Sequence, residues 1–299
     1  MFNFIKYSKL YFSIALLFIL ASVFSLVYFG LNLGMDFQGG TSIKVEYAGE
    51  RPEIDDIKNA LILENYEIQT FGDEGIILKI KDKDLKADEY NGILEDLSLG
   101  QEIADSQFET ISPVVGSELK EKTVIVAIVA LIAMLLYIAF AFRQVSKPVS
   151  SFQYGIVSTL MLFHDILIPL GATAVLGSLY GVQLTIPVVT ALLAVIGYSI
   201  NNSVVVFDRV RENLQVNHNK DYEEIVNISL NQIFMRCIQT SLTTLFVLFS
   251  LYYFFQGEES IQFFSLTASI GIIAGTFSSI FLAAPILVAW VKRREKRQK

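Results

Sequence analysis

Cysteine, histidine and charge are all scarce in this chain, and each shortage removes a class of function. The one cysteine, Cys237, has no second thiol for an internal disulfide and leaves no basis for a cysteine-built metal site. Two histidines, His164 and His218, stand without an HExxH pattern, which argues against a zinc enzyme. Charged residues make up 18% of the 299 residues while 53% are hydrophobic. A mean hydropathy of +0.50 is too high for an ordinary soluble domain. Basic charge is missing from one region in particular. Between Leu31 and Lys122 stand 21 acidic and nine basic residues, a net of −12, and the remainder nets +5. The overall −7 therefore averages an acidic soluble insert with a basic membrane part.

What is plentiful is apolar length. Six runs, near 10–30, 122–142, 153–177, 184–207, 234–255 and 263–291, are long enough to cross a bilayer core, which takes about 20 helical residues. The first follows Lys6 and Lys9 as a signal peptide would, but it is too long and lacks a clear cleavage site, so a retained span is expected. Short loops set the orientation. The loops near 178–183 and 256–262 hold no Lys or Arg. Basic residues sit instead in the N-terminal tail, at Arg143 and Lys147, at Arg209, Arg211 and Lys220, and in the final KRREKRQK. The positive-inside rule then puts both termini in the cytoplasm and residues 31–121 outside. The expected division is a tail and first span (1–30), an extracytoplasmic domain (31–121), five further spans (122–291) and a basic tail (292–299).

The insert reads as alternating short elements. TSIKVEYA (41–48) has the period of two of a half-buried strand, and 51–66 has a helical face of Ile54, Ile57 and Leu61. Two strands flank Gly72-Asp73-Glu74-Gly75, a hairpin signal. A second helix closes at Gly100, and SQFETIS supplies a last strand. The order β-α-β-β-α-β is that of a ferredoxin-like α+β sandwich, here between the first and second of six membrane helices. Its acidic surface reads as a solvated face.

Polar groups inside hydrocarbon are costly and mark bundle interiors or water-filled paths. The third run holds His164 and Asp165. The fourth holds Asn201, Asn202 and Ser203 and ends at Asp208 and Arg209. The fifth carries Arg236, Thr240, Thr243 and Thr244 on one helical face at 100° per residue. The sixth contains Gly271 and Gly275, a small-xxx-small pair for close helix packing. Each has a plainer role as well. The amides can join helices at about 1 kcal/mol apiece, Arg236 can snorkel to an interface, and Asp208 and Arg209 can end a solvated helix. Taken together, the three polar spans suggest a shared internal path for an ion or proton. An intramembrane enzyme built on His164 and Asp165 would lack both a nucleophile and a metal constellation.

The motifs resemble those of the SecF family of protein translocase subunits, in the RND superfamily. They are GMDFQGGT (34–41, with Asp36, Gly39 and Gly40), ISPVVGSEL (111–119), FHDILI (163–168), GYSINNSVVVFDRVREN (197–213), RCIQTSLTT (236–244) and GIIAGTFSSIF (271–281). The resemblance implies a non-enzymatic subunit that works with SecD and the SecYEG channel. It would use the proton motive force, or sodium in some relatives, to help exported unfolded polypeptides finish crossing the bilayer. No cofactor beyond the transported ion and no nucleic-acid partner is expected. A small-molecule efflux half-transporter of the same superfamily is the alternative, although a domain of about 90 residues leaves little room for a substrate pocket.

One position departs from the pattern. Relatives carry Asp after the first Asn of the fourth-span motif, where this chain has Asn202, while the Arg of the next span is kept as Arg236. An amide cannot take up or release a proton in the working range. Three accounts remain open: protonation moved to Asp165 or to SecD, coupling to sodium, or an engineered substitution that freezes one protonation state.

Overall fold

The computed structural model describes residues 1–63, 65–81, 85, 87–141, 149–217, 219–256 and 258–298. The basic loop with Arg143 and Lys147, and His218, lie outside them. After a 3-10 turn at Ile5–Tyr7, helix α1 (Ser8–Tyr28) is predominantly apolar, as suits a helix in hydrocarbon, and buries Tyr11, Ala15, Ser22 and Ser25. The chain then forms a one-turn helix α2 (Met35–Gln38), strand β1 (Gly40–Tyr47), helix α3 (Ile54–Ala60), strands β2 (Tyr66–Phe71) and β3 (Gly75–Lys81), helix α4 (Ala87–Ser98) and strand β4 (Ile103–Ile111). The sheet order is β2-β3-β1-β4 and every pairing is antiparallel, which is the ferredoxin-like arrangement. Helix α3 is shorter than the periodicity of 51–66 predicts. Leu61 is buried in extended backbone just past its end, and Asn65 turns the chain with a φ of +56° so that β2 can begin.

The two sheet faces differ because side chains alternate along a strand. Ile43, Val45 and Tyr47 of β1 and Ile76, Leu78 and Ile80 of β3 form a core with Ile57, Leu61, Ile93 and Leu97. Tyr47 is 1% exposed, and its hydroxyl donates to the Leu97 carbonyl at 2.8 Å. Burial pushes its phenol up to about 12. The unfolded phenol loses its proton near its ordinary 10.0 while the folded one keeps it, so the domain's stability falls as pH rises from 10.0 to about 12. Tyr47→Phe should remove that pH dependence. It should also leave the Leu97 carbonyl unpaired, at about 1 kcal/mol, giving roughly fivefold faster amide exchange in β1.

Five further long helices follow: α5 (Pro113–Ala141), α6 (Ser151–Tyr180), α7 (Ile186–Val216), α8 (Tyr222–Phe254) and a last helix in three parts. These parts are α9 (Glu259–Ser278), a π-helical turn (Ser279–Ala283) and α10 (Ala284–Gln298). With α1 they make, among the described residues, six helices long and apolar enough to span a membrane. The last helix is central: α9 packs against α6, α7 and α8, while α1 lies on α6. Glycines permit the closest approaches. A Cβ on Gly271 would come within 2.4 Å of Val195, and one on Gly275 within 3.2 Å of Ser199 Cβ.

The helices outrun the apolar runs that announce them. Helix α5 starts at Pro113 rather than near 122, and most of the polar stretch 208–233 is helical. Val210 and Asn213 of α7 and Ile225, Val226, Ser229 and Leu230 of α8 are buried, so the two helices continue together beyond the apolar zone. Asn213 Nδ2 donates to Ser229 Oγ and Gln232 Oε1, both at 2.8 Å.

The polar face of the sheet rests on the helix ends. Lys79, 5% exposed, is ion-paired to Glu259 at the start of α9 and donates to Gln69. Lys44 Nζ meets Glu258 Oε1 at 2.6 Å. Asp36 Oδ2 accepts the Ile186 amide at 2.6 Å, at the α7 N-terminus. Between sheet and helix ends lies a polar cavity of about 600 Å³, lined by Asp36, Lys44, Lys79, Gln183, Glu258 and Glu259 among others.

Candidate functional site

Three helices bring their small and polar residues together at one level. In α7, Ser199, Asn202 and Ser203 stand at i, i+3 and i+4 and share a face. In the last helix, Gly275, Ser278 and Ser279 repeat that spacing. The missing side chain at Gly275 lets α9 approach Ser199, and Ser203 and Ser279 lie hydroxyl to hydroxyl at 3.2 Å. Helix α6 places Asp165 between the two rows. Its Oδ2 accepts hydrogen bonds from the hydroxyls of Ser199 and, at 2.8 Å, Ser278. Its Oδ1 lies 2.7 Å from Nδ1 of its neighbour His164.

The backbone is irregular at this level. Pro169 sits four residues after Asp165 and has no N–H, so the Asp165 carbonyl loses its helical donor. Across the cluster, the π turn begins at Ser279, and Pro285 beyond it withholds another donor. Asp165 and Ser278 are wholly buried, at 0% exposure, and His164 and Asn202 are each at 3%. Within this cluster two buried polar atoms have no hydrogen-bond partner among the described residues, His164 Nε2 and Asn202 Nδ2. A smaller group lies between α7, α8 and α9, where Ser241 meets Thr276 at 2.6 Å and Tyr198 at 3.1 Å.

Several residues expected in a shared interior lie elsewhere. Arg236, Thr240 and Thr243 are exposed on the outside of α8, and Thr244 is only partly covered. The buried face of α8 is instead Ile233, Cys237, Ser241 and Leu248, which turns the threonine stripe away from α7. The Thr240 hydroxyl donates to the Arg236 carbonyl of its own helix, at 2.7 Å, and among the described residues no hydrogen bond joins Asn202 to Arg236. Asn201 and Asp208 are exposed as well, while Arg209 pairs with Glu212 and Gln232. Gly39 and Gly40 lie away from the cluster, where α2 and β1 meet the start of α5.

Sequence reasoning missed Ser278 and Ser279 as partners of Asp165 and Ser203. The signal was present in GIIAGTFSS, whose glycine and serines repeat the spacing of the α7 row.

Comparison with known proteins decides the family. The description "Protein export membrane protein SecD/SecF, C-terminal" matches residues 94–293, and "SecD/SecF GG Motif" matches residues 24–49. Protein translocase subunit SecF of Thermobaculum terrenum is 36% identical, over 97% of this chain and 94% of that one. The chain belongs to the SecF family. SecF of Pseudomonas aeruginosa is 32% identical to this SecF-family chain, over 96% and 90% of the two. The crystal structure of SecDF, a translocon-associated membrane protein from Thermus thermophilus, superposes with a TM-score of 0.79 at 30% identity. That match covers 97% of this chain and 38% of the SecDF chain. The SecF-family chain is a multi-pass membrane protein and a translocase subunit, rather than an enzyme.

Proposed function

We propose that this SecF-family chain works with a SecD partner as an ion-driven accessory subunit of protein export. It draws on the proton or sodium motive force to pull exported, unfolded polypeptides through the last stage of crossing and to release them. The observation that carries this reading is Asp165, a fully buried carboxylate among membrane helices, held by hydroxyls from two other helices. A membrane potential supplies about 2.3 kcal/mol per charge per 100 mV to a group that binds and releases an ion there. In this reading His164, Asp165, Ser203 and Asn202 line the ion site, and Gly271 and Gly275 set the helix spacing around it. Both termini, with residues 292–299, face the cytoplasm, and residues 31–121 face outward beside the SecYEG channel.

The outer face of α8 supports the partner. Arg236 is exposed there and its guanidinium has no hydrogen bond or ion pair among the described residues, and Asn201 is exposed on the neighbouring α7. Polar groups within spans call for a covering surface, and a second six-helix body related to this one supplies it. Depleting the protein should slow release of exported proteins in a pulse-chase experiment, and an uncoupler or sodium withdrawal should mimic the loss. Normal release kinetics after depletion would remove this function.

A further inference from the structure

We propose that the coupling proton binds at Nε2 of His164, with Asp165 as the positioning residue that holds the imidazole. The inference rests on the reading of the chain as an ion-coupled subunit and names the group that takes up the ion. Position 202 is an amide and Arg236 lies outside, so the cluster must hold its exchangeable proton elsewhere. Both carboxylate oxygens of Asp165 are engaged, one by two serine hydroxyls and the other by the imidazole. An ionised carboxylate only accepts, so Nδ1 of His164 carries its hydrogen and donates it, and Nε2 holds the lone pair. That lone pair is buried and unpartnered.

A proton arriving at Nε2 therefore breaks nothing. It bonds to the free lone pair, the imidazole becomes imidazolium, and the pair passes from a net charge of −1 to zero; release is the reverse. A proton on Asp165 would instead take the one lone pair left on Oδ1 and weaken that oxygen's hold on the imidazole N–H. A sodium ion would have to share the carboxylate oxygens with those donors. The surroundings leave the pair to itself. Helix α7 offers hydroxyls and Asn202, and α9 offers Ser278 and the Phe277 ring, 6.4 Å from the imidazole centroid. From α1, Tyr11 reaches the imidazole only through the rings of Phe281 and Phe277. Helix α5 carries no charged residue after Lys122, and α10 brings its first, Lys292, two turns beyond Pro285. Among the described residues, Asp165 is the charged group recorded against His164.

The chain has two histidines, so His218→Gln leaves one imidazole to observe in the full-length protein with its SecD partner in lipid nanodiscs. Nitrogen-15 NMR across a pH series should find Nδ1 protonated and Nε2 bare before uptake of the proton, and both protonated after it. Asp165→Asn should remove that change at Nε2, because the amide then donates to Nδ1 and the imidazole hydrogen moves to Nε2. His164→Gln in proteoliposomes should remove the uncoupler-sensitive fraction of release. An Nε2–H tautomer at every pH, or an imidazole that never changes state, overturns the proposal even where the variant fails to fold. If release by the unmodified protein still responds to an uncoupler in that case, the ion-coupled reading stands and only the carrier is wrong. If release follows sodium alone, the proton assignment is wrong. If it follows neither gradient, both readings fall.

Discussion

Asp165→Ala is expected to abolish the driven part of protein release and to lower the yield of folded protein, whereas Asp165→Asn should abolish the first alone. Alanine leaves the hydroxyls of Ser199 and Ser278 and the His164 N–H without their acceptor in a dry interior. Each stranded donor costs about 1–3 kcal/mol. Three of them approach the whole stability of a typical domain, about 5–15 kcal/mol. Asparagine keeps the volume and an acceptor oxygen for both serines, so the helices stay packed, but the charge is gone. Its amide group must then donate toward His164, which reverses the role of Nδ1. Pulse-chase release with and without uncoupler, alongside thermal melts in detergent, separates the two outcomes. Full uncoupler-sensitive release by Asp165→Asn would move the coupling site away from this cluster.

Gly39→Ala is expected to loosen the sheet domain from the helices by about 2–3 kcal/mol. Gly39 has a φ of +78° and a ψ of +177°, an essentially glycine-only conformation that costs a residue with a Cβ about 1–3 kcal/mol. The added carbon would also lie 2.6 Å from Pro113 Cα, 2.7 Å from Pro113 N and 2.9 Å from the Ile111 carbonyl oxygen. All three are backbone atoms at the junction of β4 and α5, with no rotamer to yield. Limited proteolysis at that junction should accelerate tenfold or more. Gly92→Ala is the control. It sits in α4 with open space around it, and alanine there should be neutral or stabilising by up to about 1 kcal/mol. Equal sensitivity in the two variants would show that the Gly39 contact does not hold the domain down.

Six spans and the ferredoxin-like insert were legible because hydrophobic length and strand alternation are local signals. Helix ends were less so. The residues that extend α7 and α8 past the apolar zone are buried only against each other, and neither segment alone announces that pairing. The site divides in the same way. Asp165 stood out because a carboxylate in a greasy run is conspicuous, and Ser278 did not, because serine is common in membrane helices. The Arg236 and threonine stripe lies on one face as its spacing predicts, but periodicity cannot say which way a face points. Only packing decides that, and Cys237 and Ser241 occupy the inward side.

Helix α9 runs from one grip on the chain to another. Its first residue, Glu259, is clamped to Lys79 under the sheet, and its last, Ser278, holds Asp165. Nineteen steps of about 1.5 Å put these grips roughly 28 Å apart, close to the thickness of a bilayer's hydrocarbon. A continuous hydrogen-bonded rod of that length does not stretch, so an axial slip at one grip arrives at the other undiminished. The π turn just beyond Ser278 is the slack in the line: its wider loop can travel along the helix and absorb a shift before α10 has to follow.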